Sequence, residues 1–492
     1  MTAERWQAFE RYAAWLRGKP TWDAEERVPR LAVADGLRES IALAAAGGDW
    51  EPALRDCIFA ADFPRADLTL RGQPAWLRPW LDSGGAGLGE ALAAFADSDL
   101  SPEERFERWS RTCADAVSAG RVADRPDAVL AFGALFNFAT DPAAVPFVLG
   151  GPLANLQRLL GEASGEGYAA FLQFARTLAA RLKGAGIARD ALDAWALGFS
   201  GARNPAFWVP GGRSDRAGSR TAAPPHYLAV CAIYRDEASY LREWVEFHHL
   251  VGVERFYLYD NNSVDDHREV LAPYVEGGLV SIRDWPLELG QREAYDDCIA
   301  EHRDEARWIA FIDLDEFLFS PTGRPLPEVL ARYERWPAVG ANWAVFGSGG
   351  HATRPPGRVI ESYVDRLRTG ENRTIKSVVD PTRVARCVGV HRFTYTELGA
   401  VDENEFPITG GQTKSESRSL LQVNHYMTKS LEEYRTRSQR GRPVPAQLGK
   451  PMPFRRSFDP ELIALRERLG ERDEAILQYL PALRRAFESG PA

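Results

Sequence analysis

What is scarce in this chain narrows the field before any motif is read. Cysteine is sparse: Cys57, Cys113, Cys231, Cys298 and Cys387 are scattered over 492 residues with no CxxC pair. That argues against both a disulfide framework and a thiolate zinc site. No apolar run approaches the ~18 residues of a membrane span. The opening stretch MTAERWQAFERYAAWL carries charge inside its apolar pattern and lacks a signal-peptide layout. A cytoplasmic protein with no transmembrane span is the expectation. Basic charge is not in excess either: Lys+Arg 60 against Asp+Glu 69 leaves a net charge of −9, which speaks against a nucleic-acid binder.

Hydrophobic residues make up 45% and charged residues 26%, the balance of a globular protein, and the length calls for two or three domains. Histidine divides the chain. All eight (His226, His248, His249, His267, His302, His351, His391 and His425) fall after residue 225. Residues 1–200 are rich in Ala and Leu and read as an all-helical accessory domain. Ser101 followed by PEERFERWSRTCADAVS has an N-cap and acidic residues in its first turn, which predicts a helix over 102–118. In 165–183, Tyr168, Leu172, Ala175 and Ala179 recur at helical spacing. The segment ALFNFATDPAAVPFVLGGPLANLQRLL hints at a helical repeat, but no fixed period emerges. Gly, Pro, Ser and Arg dominate 201–225, which therefore reads as a linker.

Beyond the linker, short apolar runs alternate with amphipathic helices: YLAVCAI (227–233), RFYLY (255–259), LVSI (279–282), WIAFIDL (308–314) and NWAVF (342–346). The helix between the first two places Tyr240, Trp244 and Phe247 on one face. This alternation predicts a mostly parallel α/β sheet, whose ligands sit at the carboxyl ends of the strands. Those ends are polar here. The first runs into Arg235-Asp236-Glu237, the second into Asp260-Asn261-Asn262-Ser263 and the fourth into Asp313-Leu314-Asp315-Glu316.

Read as one strand edge, Asp313 and Asp315 face the same side, two hard oxygen donors suited to Mn²⁺ or Mg²⁺. A solvated acidic turn would show the same letters. Charge supports the first reading: residues 251–350 hold 9 basic and 19 acidic residues, and residues 351–450 hold 17 basic and 11 acidic. An acidic, metal-binding half beside a basic half suits a diphosphate ligand. Leu420-Leu421-Gln422-Val423 leads into Asn424-His425, where an imidazole could supply a third metal ligand or serve only structure. Lys429, Arg435, Arg437 and Arg440 follow and could close over phosphates.

The ordered set AIYRDEASYLREWVEFHHLVGVERFYLYDNNSVDD, QREAYDDCIAEH, WIAFIDLDEFLF, WAVFGSGGH and VNHYMTKSLEEY resembles glycosyltransferase family 92 and its relatives among the family-2-like glycosyltransferases. The resemblance covers about residues 226–445. No one motif is specific; the order and spacing carry it. It implies a GT-A fold, a Rossmann-like nucleotide-binding sheet, acting on a nucleotide-sugar donor with a divalent cation. Asp313 and Asp315 would then hold the cation and diphosphate, and His425 would complete the metal shell with Lys429 near the diphosphate. Asp260 and the turn of Arg235 and Glu237 would contact base or ribose. Gln291 with Asp296 or Asp297 would support the donor pocket from behind. The tail 446–492, read as helical, has no family counterpart.

Family 92 enzymes invert, which calls for a carboxylate to deprotonate the acceptor hydroxyl. Glu361 in VIESYVDR is the preferred base, with Asp402, Glu403 and Glu405 in VDENEF competing. Trp343, His351 and His391 could line the acceptor side, and Arg373 and Lys376 could add phosphate or carboxylate contacts. The implied donor is a UDP-hexose such as UDP-galactose, the acceptor a glycan, a lipid-linked sugar or a protein. The helical domain could dimerise, dock at the cytoplasmic membrane face or select the acceptor. A haloacid-dehalogenase-like phosphatase is disfavoured because Phe317 stands where Thr or Val belongs. A nucleotidyltransferase is disfavoured because YRDEASY lacks a Gly-rich loop. A non-catalytic glycan- or nucleotide-binding scaffold is the rival of a different class.

Overall fold

The computed structural model describes residues 2–59, 74–142, 146, 150–162, 168–209, 223–287, 290–367, 372–396, 398–408, 410–440 and 470–490. The chain divides into two compact units, 1–212 and 213–492. Among the described residues no helix is long and apolar enough to cross a membrane.

The described secondary structure of the first unit is helical, from Thr2–Arg17 to Ala191–Arg203. The helix expected after Ser101 spans Pro102–Ser118, and its start is a full capping box: the Glu104 backbone N–H donates to Ser101 Oγ, and the Ser101 N–H donates to the Glu104 carboxylate. The helix Tyr168–Gly184 buries Tyr168, Leu172, Ala175 and Ala179, the periodic positions. The composition-based linker begins too early. Residues 201–209 belong to this unit, because the last helix runs to Arg203 and Trp208 is buried against Phe9, donating its indole N–H to Gly201 O at 2.9 Å. Residues 210–222 lie outside the described set.

In the second unit the strands are β1 (His226–Tyr234), β2 (Arg255–Asp260), β3 (Val280–Asp284), β4 (Ala306–Phe311), β5 (Glu316–Phe319) and β6 (Ala338–Val345). Then come β7 (Asp365–Arg366), β8 (Ile375–Val379), β9 (Val384–Gly389), β10 (Arg392–Tyr395), β11 (Val401–Asp402), β12 (Gln422–His425) and β13 (Glu471–Arg472). The main sheet runs β3-β2-β1-β4-β8-β6-β12-β5, with β11 on β6. Its first four strands are parallel, joined by crossover helices such as Ala238–Leu250, whose Tyr240, Trp244 and Phe247 are buried. The other half departs from the expected mostly parallel sheet. β8 runs antiparallel to both β4 and β6, and β5 antiparallel to β12. β8 comes from IKSVV, an all-buried run not recognised as a strand, and β5 from EFLF, likewise not recognised as one.

The connection from β4 to β5 forces this sheet to curl. Three strands separate them in the hydrogen-bonding order. On a flat sheet the four gaps would span roughly 19 Å at about 4.8 Å each. Five residue steps cover about 17 Å when fully extended. The connection is a turn instead, closed by the Glu316 N–H donating to Asp313 O at 3.0 Å. Curling therefore brings the carboxyl end of β4 beside the start of β5 and the end of β12.

The tail also returns to this unit. β13 pairs with β7, the Tyr479 hydroxyl donates to Ser320 O at 2.8 Å, and the Arg242 guanidinium donates to Phe487 O at 3.1 Å. Residues 446–469 of the expected tail, with 441–445 before it, lie outside the described set.

Candidate active site

Because β4 ends at Phe311, Asp313 and Asp315 stand on the β4–β5 turn and not on the strand edge that the run WIAFIDL suggested. Aspartates favour such turns. They are unequal: the Asp313 side chain retains 31% of its exposure and Asp315 only 4%, so Asp313 is the carboxylate open to a ligand. Leu314 between them is buried.

Asp313 is held by three donors. Lys376 Nζ reaches its Oδ2 at 2.8 Å, while Gln291 Nε2 and the Tyr295 hydroxyl reach Oδ1 at 2.7 and 3.3 Å. Lys376 is delivered by β8, whose register sets Ser377 opposite Phe311, the last residue of β4. Burial opposes ionisation of Asp313, but Lys376 beside it holds the carboxyl below its usual range. Glu316, fully buried, accepts the Asp313 N–H at 2.9 Å and lies 3.3 Å from Lys376 Nζ. Burial pushes its carboxyl up to about 7 against the pull of that lysine. Its Oε1 has no hydrogen-bond partner among the described residues.

Asp315 faces other cations. Its Oδ2 accepts from the Arg437 guanidinium and lies 3.4 Å from His425 Nε2. The register pairs His425 with Glu316, so curl and strand pairing together deliver the imidazole. Although burial opposes it, Arg437 and His425 hold the Asp315 carboxyl well below the usual carboxylate range. Lys429, at a left-handed φ of 51°, stands 3.3 Å over the Tyr240 ring and 3.2 Å from Glu237 Oε2. It thereby links the β12 segment to the turn after β1. Burial pulls this ammonium below its usual value.

That turn is built from side-chain-to-backbone bonds. The Asp236 N–H donates to Ser263 Oγ at 3.0 Å, and Asp236 Oδ1 accepts the Val264 N–H at 2.9 Å. Asp260 accepts the Ser263 N–H at 2.9 Å and lies 3.5 Å from His267 Nε2. Arg235 is exposed, its nearest charge Asp236 at 3.7 Å. Beside the acidic turn, the Trp343 ring stands 4.3 Å from His425 and 5.0 Å from His391.

The fold thus gathers Asp313, Asp315, His425, Lys376, Arg437 and Gln291, and ties in Lys429 and Glu237. Glu361 is placed otherwise: one oxygen caps the helix Val359–Ser362 by accepting the Arg358 N–H, and the other takes the Arg484 guanidinium at 2.5 Å. Asp402 accepts the Asn404 and Phe406 N–H groups, Glu403 those of Ser419, Leu420 and Leu421, and Glu405 pairs with Arg335. Asp296 accepts the Cys387 N–H, and Asp297 the Tyr259 hydroxyl. Arg373 donates to Lys414 O. His351 directs Nε2 at Ser362 O. Arg435 is exposed on the helix Leu431–Arg440, and the Arg440 side chain lies outside the described set. Sequence reasoning gave Glu316 and Tyr295 no role. Glu316 lay in view inside DLDEF, but its contact with Lys376 depends on β8 pairing.

As a cation seat, Asp315 and His425 fit chemically: a hard oxygen and an imidazole nitrogen, adjacent and buried, with His425 Nδ1 left without a partner among the described residues. Asp313 is turned toward Lys376. Among the described residues no three His, Cys, Asp or Glu side chains are grouped to hold a metal ion.

The model of glycosyltransferase family 92 matches residues 226–457. A family 92 protein of Oryza sativa subsp. japonica is 30% identical over 216 residues, 43% of this chain and 35% of the relative. The galactan beta-1,4-galactosyltransferase GALS2 of Arabidopsis thaliana is 29% identical over 110 residues, 20% of either chain. The chain therefore spans only about a third of the length of the family 92 relatives it matches (35% for the Oryza protein). Among solved structures, S. aureus TarS 1–349 in complex with UDP aligns over 32% of this chain and 47% of its own, at 10% identity and a TM-score of 0.23, too small an overlap to carry an argument. Residues 226–457, the part that holds the Asp313–Asp315 turn, are thus similar to glycosyltransferase family 92.

Proposed function

We propose that the second unit is a GT-A glycosyltransferase that moves a hexose from a UDP-sugar to an acceptor hydroxyl with inversion. The observation that carries this reading is the convergence of Lys376, Lys429, Arg437 and His425 on the Asp313–Asp315 turn. Breaking the anomeric C–O bond leaves a nucleoside diphosphate, and cations set in a partly buried site stabilise the charge it develops. Asp313, the exposed carboxylate of the turn, faces the ligand. Asp260 and the turn of Arg235 and Glu237 take the nucleoside end. Asp315 and His425 would hold a divalent cation, which when bound would add Lewis-acid stabilisation of the leaving diphosphate. Relatives named as galactan galactosyltransferases support galactose as the transferred sugar. The acceptor is a sugar hydroxyl on a glycan, a lipid-linked saccharide or a protein.

The test is thermal unfolding of the whole chain with UDP, GDP, UDP-galactose and UDP-glucose, each with and without Mn²⁺, followed by release of UDP from the stabilising sugar nucleotide. Binding to the native state alone raises stability by about 2.7 kcal/mol at a hundredfold excess over Kd. A UDP-specific shift with Mn²⁺-stimulated turnover is expected. Stabilisation without turnover would point to a binding scaffold, and no shift with any nucleotide would refute the reading.

A further inference from the structure

Transfer with inversion needs a group to take the acceptor's proton, and the carboxylates considered from sequence are all committed elsewhere. Glu361 caps a helix and pairs with Arg484, Glu403 collects three backbone N–H groups, Asp402 organises its own turn and Glu405 pairs with Arg335. In the acidic turn, Asp313 is paired with Lys376 and Asp315 with Arg437, while Glu316 is sealed from solvent. A carboxylate held in a tight pair with a cation has its oxygens engaged and is not free to meet an acceptor hydroxyl.

One imidazole beside the cluster is arranged differently. His391 sits in the two-residue turn between β9 and β10, and its Nδ1 is 2.9 Å from Ile375 O. A carbonyl oxygen only accepts, so Nδ1 carries the hydrogen and, in the neutral ring, Nε2 presents its lone pair. Among the described residues the ring's one hydrogen bond is that of Nδ1, and the ring is partly exposed. The ring edge packs on Trp343 at 5.0 Å, and Trp343 packs on His425 at 4.3 Å, so a single indole separates His391 from the acidic turn. Ile375 adjoins Lys376 in β8, which ties the tautomer of His391 to the strand that delivers the site lysine. The other imidazoles near the site differ. His425 turns Nε2 to Asp315 and has its Nδ1 buried, and His351 directs Nε2 at a carbonyl.

Resting on the glycosyltransferase reading, we infer that His391 is the catalytic base of the transfer. Its Nε2 takes the proton of the acceptor hydroxyl as that oxygen bonds to the anomeric carbon. The bond from that carbon to the diphosphate oxygen breaks, its electron pair leaves with the nucleoside diphosphate, and the imidazolium later gives its proton to water. Burial, aided by Lys376, lowers the imidazole to about 4, so the ring is neutral at physiological pH, as a proton acceptor must be. The other groups acting on it are Asp313 and His425.

The experiment compares the whole chain with His391→Asn, which can still donate to Ile375 O, and with His391→Ala. Two quantities are read: stabilisation by UDP with Mn²⁺, and release of UDP from the UDP-hexose that stabilises the wild type, with water or added sugar as acceptor. The expected result is unchanged stabilisation by UDP in His391→Asn, turnover reduced 10²–10⁴-fold, and partial recovery of His391→Ala by exogenous imidazole. Turnover of His391→Asn within a few-fold of wild type would overturn the inference and leave the glycosyltransferase reading standing. Loss of UDP stabilisation in His391→Asn would also overturn it, since the residue would then hold the donor. A wild type that neither binds nor turns over any nucleotide sugar would overturn the underlying reading, and His391 as a base with it.

Discussion

Lys376→Met removes one positive charge from between two buried acids while nearly preserving side-chain volume. Lys376 is 1% exposed, 2.8 Å from Asp313 and 3.3 Å from Glu316, which is itself 0% exposed. Breaking a buried ion pair from one side costs about 3–5 kcal/mol, because the remaining charge is desolvated and unmatched. The loss should depend on pH in a definite direction. Glu316 already titrates near 7 in the folded chain, above the ordinary 4.5, so between those values the native state holds a proton that the unfolded state has released. Such a group favours folding at low pH, and its contribution fades as pH rises toward the folded value. Without Lys376 the Glu316 pKa moves higher still, so acidification relieves the variant by about 1.4 kcal/mol per pH unit. Urea unfolding at pH 8 and pH 6 should therefore show a gap of several kcal/mol between variant and wild type that narrows on acidification. Adding Glu316→Gln should restore part of the loss at pH 8. A gap that stays constant between the two pH values would refute the charge argument, as would a loss below about 1 kcal/mol.

Other perturbations test the remaining structural claims. His248 is fully buried, with Nδ1 on Trp244 O and Nε2 accepting the Leu318 N–H, and burial lowers it to about 3. Since the unfolded ring protonates near 6.5, stability should fall by about 1.4 kcal/mol per unit as pH drops from 6.5 toward 3, and His248→Gln should flatten that limb of the urea-midpoint profile. Ser101→Ala should cost about 1 kcal/mol through loss of the helix cap, seen as a lower midpoint with an unchanged slope. Trp208→Ala should cost about 3–5 kcal/mol if residues 201–209 are core, whereas a linker tryptophan would be nearly silent.

Much of this molecule is written locally. The helix after Ser101 follows from a cap and an acidic first turn, and Tyr168, Leu172, Ala175 and Ala179 are buried because their spacing puts them on one face. The parallel strands β1 to β4 are apolar runs long enough to be recognised alone. The residues Asp313, Asp315, His425 and Lys429 stood out because polar groups interrupt apolar runs at strand ends. Composition misjudged 201–209, since the letters of a loop do not reveal that Phe9 covers Trp208.

What the chain could not reveal locally depends on partners distant in sequence. Asp313 and Lys376 are 63 residues apart, and their contact exists because β8 enters antiparallel beside β4. Glu361 and Arg484 are 123 apart, and that pairing takes up an oxygen of the carboxylate preferred as base. The tautomer of His391 is set by Ile375 O, a contact made by strand geometry and not by side-chain identity. Side-chain type and spacing determined which elements form and which groups could do chemistry. The curl of the sheet, dictated by a four-residue turn joining strands four places apart, decided which of those groups meet.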